Sequence, residues 1–99
     1  MHYEHKDGAV SFDLPDRVTV RQQLAFRSKL NVRDEGGVYG RYWNAAPSLV
    51  TEWQCELIPD MAAADLDTAV DPRVTEIIIW TADTIANHIA EMETPPKNS

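Results

Sequence analysis

One cysteine, Cys55, and three histidines, His2, His5 and His88, are the side chains of this sequence best suited to chemistry near neutral pH. A cysteine–histidine pair would supply a nucleophile and its base. That chemistry needs a helix N-terminus or a cationic neighbour to lower the thiol pKa. Cys55 stands between Trp53 and Leu57 in an apolar-leaning segment without such a neighbour. It is expected to be a small buried apolar residue. His2 and His5 offer half a metal site, but histidines of a mobile N-terminus without cysteine partners are not expected to hold an ion. His88 falls on an apolar helix face and is expected to be partly covered there. Asp65, Asp67 and Glu76 imitate a calcium loop, with Glu76 twelfth when Asp65 is first. The glycine position holds Val70, the fifth position is Ala69, and Pro72 starts a helix inside the loop, so calcium is not expected. Gly36-Gly37 lacks the following Lys-Ser/Thr of a phosphate loop. No acid stands in a context that would raise its pKa for proton transfer. These residues predict no enzyme, no metal and no cofactor.

The charge distribution speaks to partners instead. Up to Val50 the chain carries seven Lys/Arg and six Asp/Glu; from Thr51 onward it carries two against ten. The net of −7 therefore belongs to the C-terminal half. Such a potential selects what approaches. Direct nucleic-acid binding is disfavoured, because phosphate contacts require clustered Lys/Arg and the basic residues here are interleaved with Asp13, Asp16, Asp34 and Glu35. The longest apolar run, Ile77-Ile78-Ile79-Trp80, is far short of the ~20 residues that span a bilayer. No secretory h-region is visible, and a single cysteine fits a reducing compartment, so a cytoplasmic location is expected.

Ninety-nine residues make one domain with one modest core, burying somewhat over ~60% of the unfolded surface. Residues 1–16 read as a hairpin and lead-in, with the turn at Lys6-Asp7-Gly8. Thr19 begins the first helix, since Thr19-Val20-Arg21-Gln22 matches a capping box. Val20, Leu24, Phe26 and Leu30 form its expected core stripe. Arg33-Asp34-Glu35-Gly36-Gly37 ends it. The second helix is expected from about Val38 to Leu57, kinked or restarted near Ala46 by Pro47, with Leu49, Val50, Trp53 and Leu57 keeping helical spacing. Residues 58–70 read as a loop. Asp71-Pro72 is a helix start, and the third helix runs to about Glu93 with Val74, Ile77, Ile78, Thr81, Ile85, His88, Ile89 and Met92 on one face. Thr94-Pro95-Pro96 stops it, and residues 94–99 form a tail. The fold class predicted is mainly α: a compact bundle of about three helices with a short N-terminal β-hairpin.

Three stretches carry a resemblance: Phe12-Asp13-Leu14-Pro15-Asp16-Arg17-Val18-Thr19-Val20-Arg21-Gln22-Gln23-Leu24; Arg41-Tyr42-Trp43 through Glu52-Trp53-Gln54-Cys55-Glu56-Leu57-Ile58-Pro59-Asp60; and Asp65-Leu66-Asp67 through Asp71-Pro72-Arg73-Val74-Thr75. With the closing Pro96-Lys97-Asn98, the chain resembles small proteins encoded among the tail genes of long-tailed bacteriophages, in the tail assembly chaperone position. Pro47 and Ala62-Ala63-Ala64 depart from the usual pattern of that group. The resemblance implies a small, acidic, helical protein without a catalytic motif, which coats the hydrophobic helices of the tape-measure protein and helps recruit tail-tube subunits. Such a role needs an accessible apolar surface. Tyr39, Tyr42 and Trp43 on the second helix and Ile79 and Trp80 flanking the third are the candidates. The competing expectation places all three tryptophans in the core. Two other functions fit the charge: an acidic inhibitor or DNA mimic occupying a basic groove on a host nuclease or repressor, and a homo-oligomeric structural subunit assembling head-to-tail.

Overall fold

The computed structural model describes residues 1–68 and 71–93. The expected hairpin is present as β1 (His2–Glu4) and β2 (Val10–Asp13), antiparallel with Tyr3 opposite Phe12. Gly8 closes its turn at φ +69°, a conformation that costs residues bearing a Cβ. The Gly8 amide donates to the His5 carbonyl at 2.8 Å and the His5 amide to the Val10 carbonyl at 3.0 Å. His5 is thereby held in ordered backbone and is only 7% exposed, which corrects the expectation of a mobile N-terminal histidine.

Helix α1 (Val20–Leu30) starts at the predicted capping box. The Gln22 amide donates to Thr19 Oγ1 at 3.1 Å, and the Thr19 amide donates to Gln22 Oε1 at 2.9 Å. Its core stripe is narrower than the apolar spacing implies. Phe26 is buried and Leu30 half-buried, whereas Val20 and Leu24 are 72% and 64% exposed. The cause is position: α1 packs mainly along one edge of the next helix, α2 (Gly37–Ala45), which itself packs on α3 (Pro72–Glu93).

The expected second helix stops early. Pro47 lies in a 3-10 turn, Ala46–Ser48, where its missing amide donor is harmless. Beyond it the chain extends into β3 (Thr51–Cys55) instead of restarting a helix. Strand β3 pairs antiparallel with β2, Cys55 opposite Val10 and Gln54 opposite Ser11, in a sheet of order β1-β2-β3. The register then shifts: Asp13 faces Thr51, so Glu52 and Trp53 together oppose Phe12 in a bulge, with Glu52 at φ +55°. The architecture is therefore mixed, three helices with a three-stranded antiparallel sheet, and not a mainly α bundle.

Phe12 is fully buried at the centre of the core. Its ring stacks on Trp53 at 5.9 Å and meets Trp80 edge-on at 5.5 Å, joining the sheet to α3. Trp53 reaches Trp43 of α2 at 5.7 Å and donates from Nε1 to the Ile58 carbonyl at 2.6 Å. Helix α3 follows its expected span and face, with Ile77, Thr81, Ile85 and His88 buried. Asp71 caps its start, accepting from the Arg73 amide at 2.9 Å ahead of Pro72. The expected stop and tail at residues 94–99 lie outside the described residues. No described helix is long and apolar enough to cross a membrane.

Candidate functional site

Residues of α2 and α3 line a cleft of about 910 Å3, bounded at one side by residues 61–67. Tyr39, Trp43 and Pro47 contribute from the α2 side at helical spacing, and Val74, Ile78 and Ile79 from α3. Trp43 and Met61 are buried and form the floor; Tyr39, Leu66 and Ile79 are 42%, 38% and 36% exposed. The charged residues of the lining are Arg33, Asp34, Glu35, Asp65 and Asp67, four acids against one base.

Local hydrogen bonding shapes these walls. Asp34 accepts from the Gly36 amide through Oδ1 at 2.7 Å and from Asn44 Nδ2 through Oδ2 at 2.7 Å, tying the start of α2 to its last turn. Gly40 is buried directly beneath that carboxylate. Asp60 accepts from the Ala62 amide at 3.0 Å and so starts a 3-10 turn, Met61–Ala63. Asp65 accepts from the Asp67 amide at 3.0 Å and from the Thr68 hydroxyl at 2.7 Å. Those bonds, the Thr68 hydroxyl foremost, hold the Asp65 carboxyl below its ordinary pKa. Asp71 is likewise lowered, chiefly by the Arg73 guanidinium at 2.8 Å. Asp65 and Asp71 of the calcium-like stretch are thus engaged within their own turns. Glu76 projects elsewhere, toward His5 at 4.0 Å.

Of the five side chains predicted to meet a partner, Tyr39, Trp43 and Ile79 come together here, with Trp43 as buried floor and not surface. Tyr42 turns to the other side of α2 and packs on Phe26 at 6.0 Å. Trp80 lies half-buried against Phe12 and His5. Met61 and Leu66 were missed. Leu66 had a usable signal, a lone apolar residue between two acids in a loop, where solvent exposure costs apolar surface unless something covers it.

Two of the residues read first for chemistry, Cys55 and His88, are committed to structure. Cys55 is buried on β3. His88 Nε2 donates to the Pro15 carbonyl at 2.8 Å, since a carbonyl only accepts; in the neutral ring Nδ1 must then accept from the Tyr3 hydroxyl at 2.7 Å. Burial, aided by Glu91 and Asp16, raises the Tyr3 pKa and keeps that hydroxyl a donor. Both His88 nitrogens are occupied, so the ring has no nitrogen left to serve as a base for Cys55. No protein-family model, curated protein or solved structure matches this chain.

Proposed function

We propose that this chain is a non-enzymatic binding domain that seats an apolar helical segment of another protein in the α2–α3 cleft. The observation that carries this is the presence of Tyr39, Leu66 and Ile79, all solvent-exposed, along one cleft over a Trp43–Met61 floor. Its volume is near the top of the ~300–1,000 Å3 range of ligand pockets, but it is an open trough and not an enclosed cavity, a shape suited to helix-in-groove recognition. Four acids and one base in the lining favour a segment flanked by Lys or Arg. A net charge of −7 would keep the complex soluble.

The resemblance to tail assembly chaperone-like proteins supplies the partner class: the long hydrophobic helices of a phage tape-measure protein. Co-expression of this chain with the tape-measure protein of the same phage should yield a soluble complex. Ile79→Asp, at an exposed position, should abolish it while leaving the far-UV circular dichroism unchanged. A tape-measure protein that is soluble alone and forms no complex would refute the reading. So would a complex indifferent to Ile79→Asp.

A further inference from the structure

Outside the cleft, the hairpin turn and α3 bring three potential metal ligands together. One ring nitrogen of His5 and one carboxylate oxygen each of Asp7 and Glu76 lie within 4.8 Å of one another. His5 is the anchor: it is 7% exposed, and its ring is fixed edge-on against Trp80 at 5.2 Å. Its nitrogens are poorly served for so buried a ring. Nδ1 receives only the Asp7 amide, at 3.3 Å. Nε2 points toward the Glu76 carboxylate at 4.0 Å, beyond hydrogen-bonding reach. Nε2 makes no hydrogen bond and is not sealed from solvent, so an ion can reach it.

We propose that His5, Asp7 and Glu76 bind a first-row transition ion of the zinc type. Bonds of about 2.0–2.2 Å at a tetrahedral angle place two donors about 3.3–3.6 Å apart, so the exposed Glu76 carboxylate closes by about half an ångström from its 4.0 Å to Nε2. Ligation through Nε2 moves the remaining ring proton to Nδ1, which gives up the long contact from the Asp7 amide, since two donors would then face each other. Asp7 Oδ2, at 3.7 Å from Nδ1, then either accepts that proton as an orienting carboxylate or turns to the ion as a third ligand. The Asp7 and Glu76 side chains are 64% and 63% exposed, so both carboxylates are free to close on an ion that the rigid imidazole positions. One nitrogen with two carboxylates suits zinc or cobalt better than magnesium, because the imidazole is a poor magnesium ligand. The ion would clasp the hairpin turn to α3 across some seventy residues of sequence, stabilising the chain by linkage.

The test uses the full chain freed of metal. Zn2+ titrated by calorimetry should bind one ion per chain, raise the melting temperature, and shift the His5 ring resonances in NMR spectra while leaving those of His88. Glu76→Gln, at an exposed site that does not threaten folding, should weaken binding about tenfold or more. Asp7→Asn should weaken it as well, and His2→Ala should leave it unchanged. Absence of saturable binding would overturn the proposal. So would full affinity in Glu76→Gln, loss of binding in His2→Ala, or displacement of Zn2+ by excess Mg2+.

Discussion

Gly40 offers a substitution whose sign depends on one neighbouring side chain. In the interior of an exposed helix, glycine to alanine stabilises by about 1 kcal/mol, through reduced backbone entropy in the unfolded chain. Gly40 sits in α2, yet a methyl group there would overlap the Asp34 carboxylate, with its Cβ only 2.6 Å from Asp34 Cγ. Asp34 would have to rotate away. It would then give up its bonds to the Gly36 amide and to Asn44, each 2.7 Å long. Hydrogen bonds to a charged acceptor contribute about 1.5–3 kcal/mol when well shielded. Where solvent reaches the carboxylate, the ordinary net of about 0.5–1.5 kcal/mol per bond applies instead. Asp34 is half-exposed, so about 2 kcal/mol is lost for both bonds together. Gly40→Ala should therefore destabilise the protein by about 1 kcal/mol net, a fall of about 4–8 °C in melting temperature for a domain this size. In an Asp34→Ala background the carboxylate is gone and only the residue-34 Cβ remains, at 3.3 Å, so Gly40→Ala should stabilise, by up to about 1 kcal/mol. Urea unfolding of the four variants, followed by tryptophan fluorescence and circular dichroism, measures both numbers and their coupling. The same sign in both backgrounds would refute the reasoning, because steric conflict with Asp34 is the one cause invoked.

Two further positions probe the core and the sheet. Thr81 is fully buried and its hydroxyl has no hydrogen-bond partner among the described residues, so Thr81→Val should raise stability by about 1 kcal/mol in the same assay; a loss would mean that the hydroxyl is satisfied. Glu52 holds a left-handed conformation at φ +55°, which costs an L-residue about 1–2 kcal/mol. Glu52→Gly should be neutral or stabilising, and Glu52→Val should be less stable than Glu52→Gly by more than about 1 kcal/mol; equal stabilities would remove the bulge as the cause.

The elements governed by local chemistry were legible, and those governed by pairing were not. The Thr19 capping box, the Gly8 turn and the Asp71-Pro72 start depend on neighbours within four residues, and each stands where its residues place it. Strand β3 shows the opposite case. Leu49, Val50, Trp53 and Leu57 satisfy helical spacing over a short window, while the bulge at Glu52–Trp53 breaks the alternation that would mark a strand. What decides between them is β2, forty residues earlier, which provides a hydrogen-bonding edge and a Phe12 ring for Trp53 to stack on.

The same distinction separates the two candidate sites. Tyr39 and Trp43 share a face because of their spacing, and Ile79 flanks the face of another helix; a single sequence does not say that the two surfaces line one cleft. The tertiary arrangement does, and in doing so it divides the five predicted contacts, leaving Tyr42 against Phe26 and Trp80 against Phe12. For His5 the separation is greater still. Near one end of the chain, with exposed His2 beside it, it resembles a loose histidine; pairing of β1 with β2 buries it and carries it to Glu76, a residue first noticed for calcium. Local sequence thus supplies the ligand types, but the hairpin's packing on α3 creates their proximity. Any metal affinity must therefore depend on a folded hairpin. A variant that opens the turn, such as Gly8→Val at φ +69°, should lose Zn2+ binding together with the native environment of Trp80. Retained binding after the hairpin has opened would place the ion on other residues.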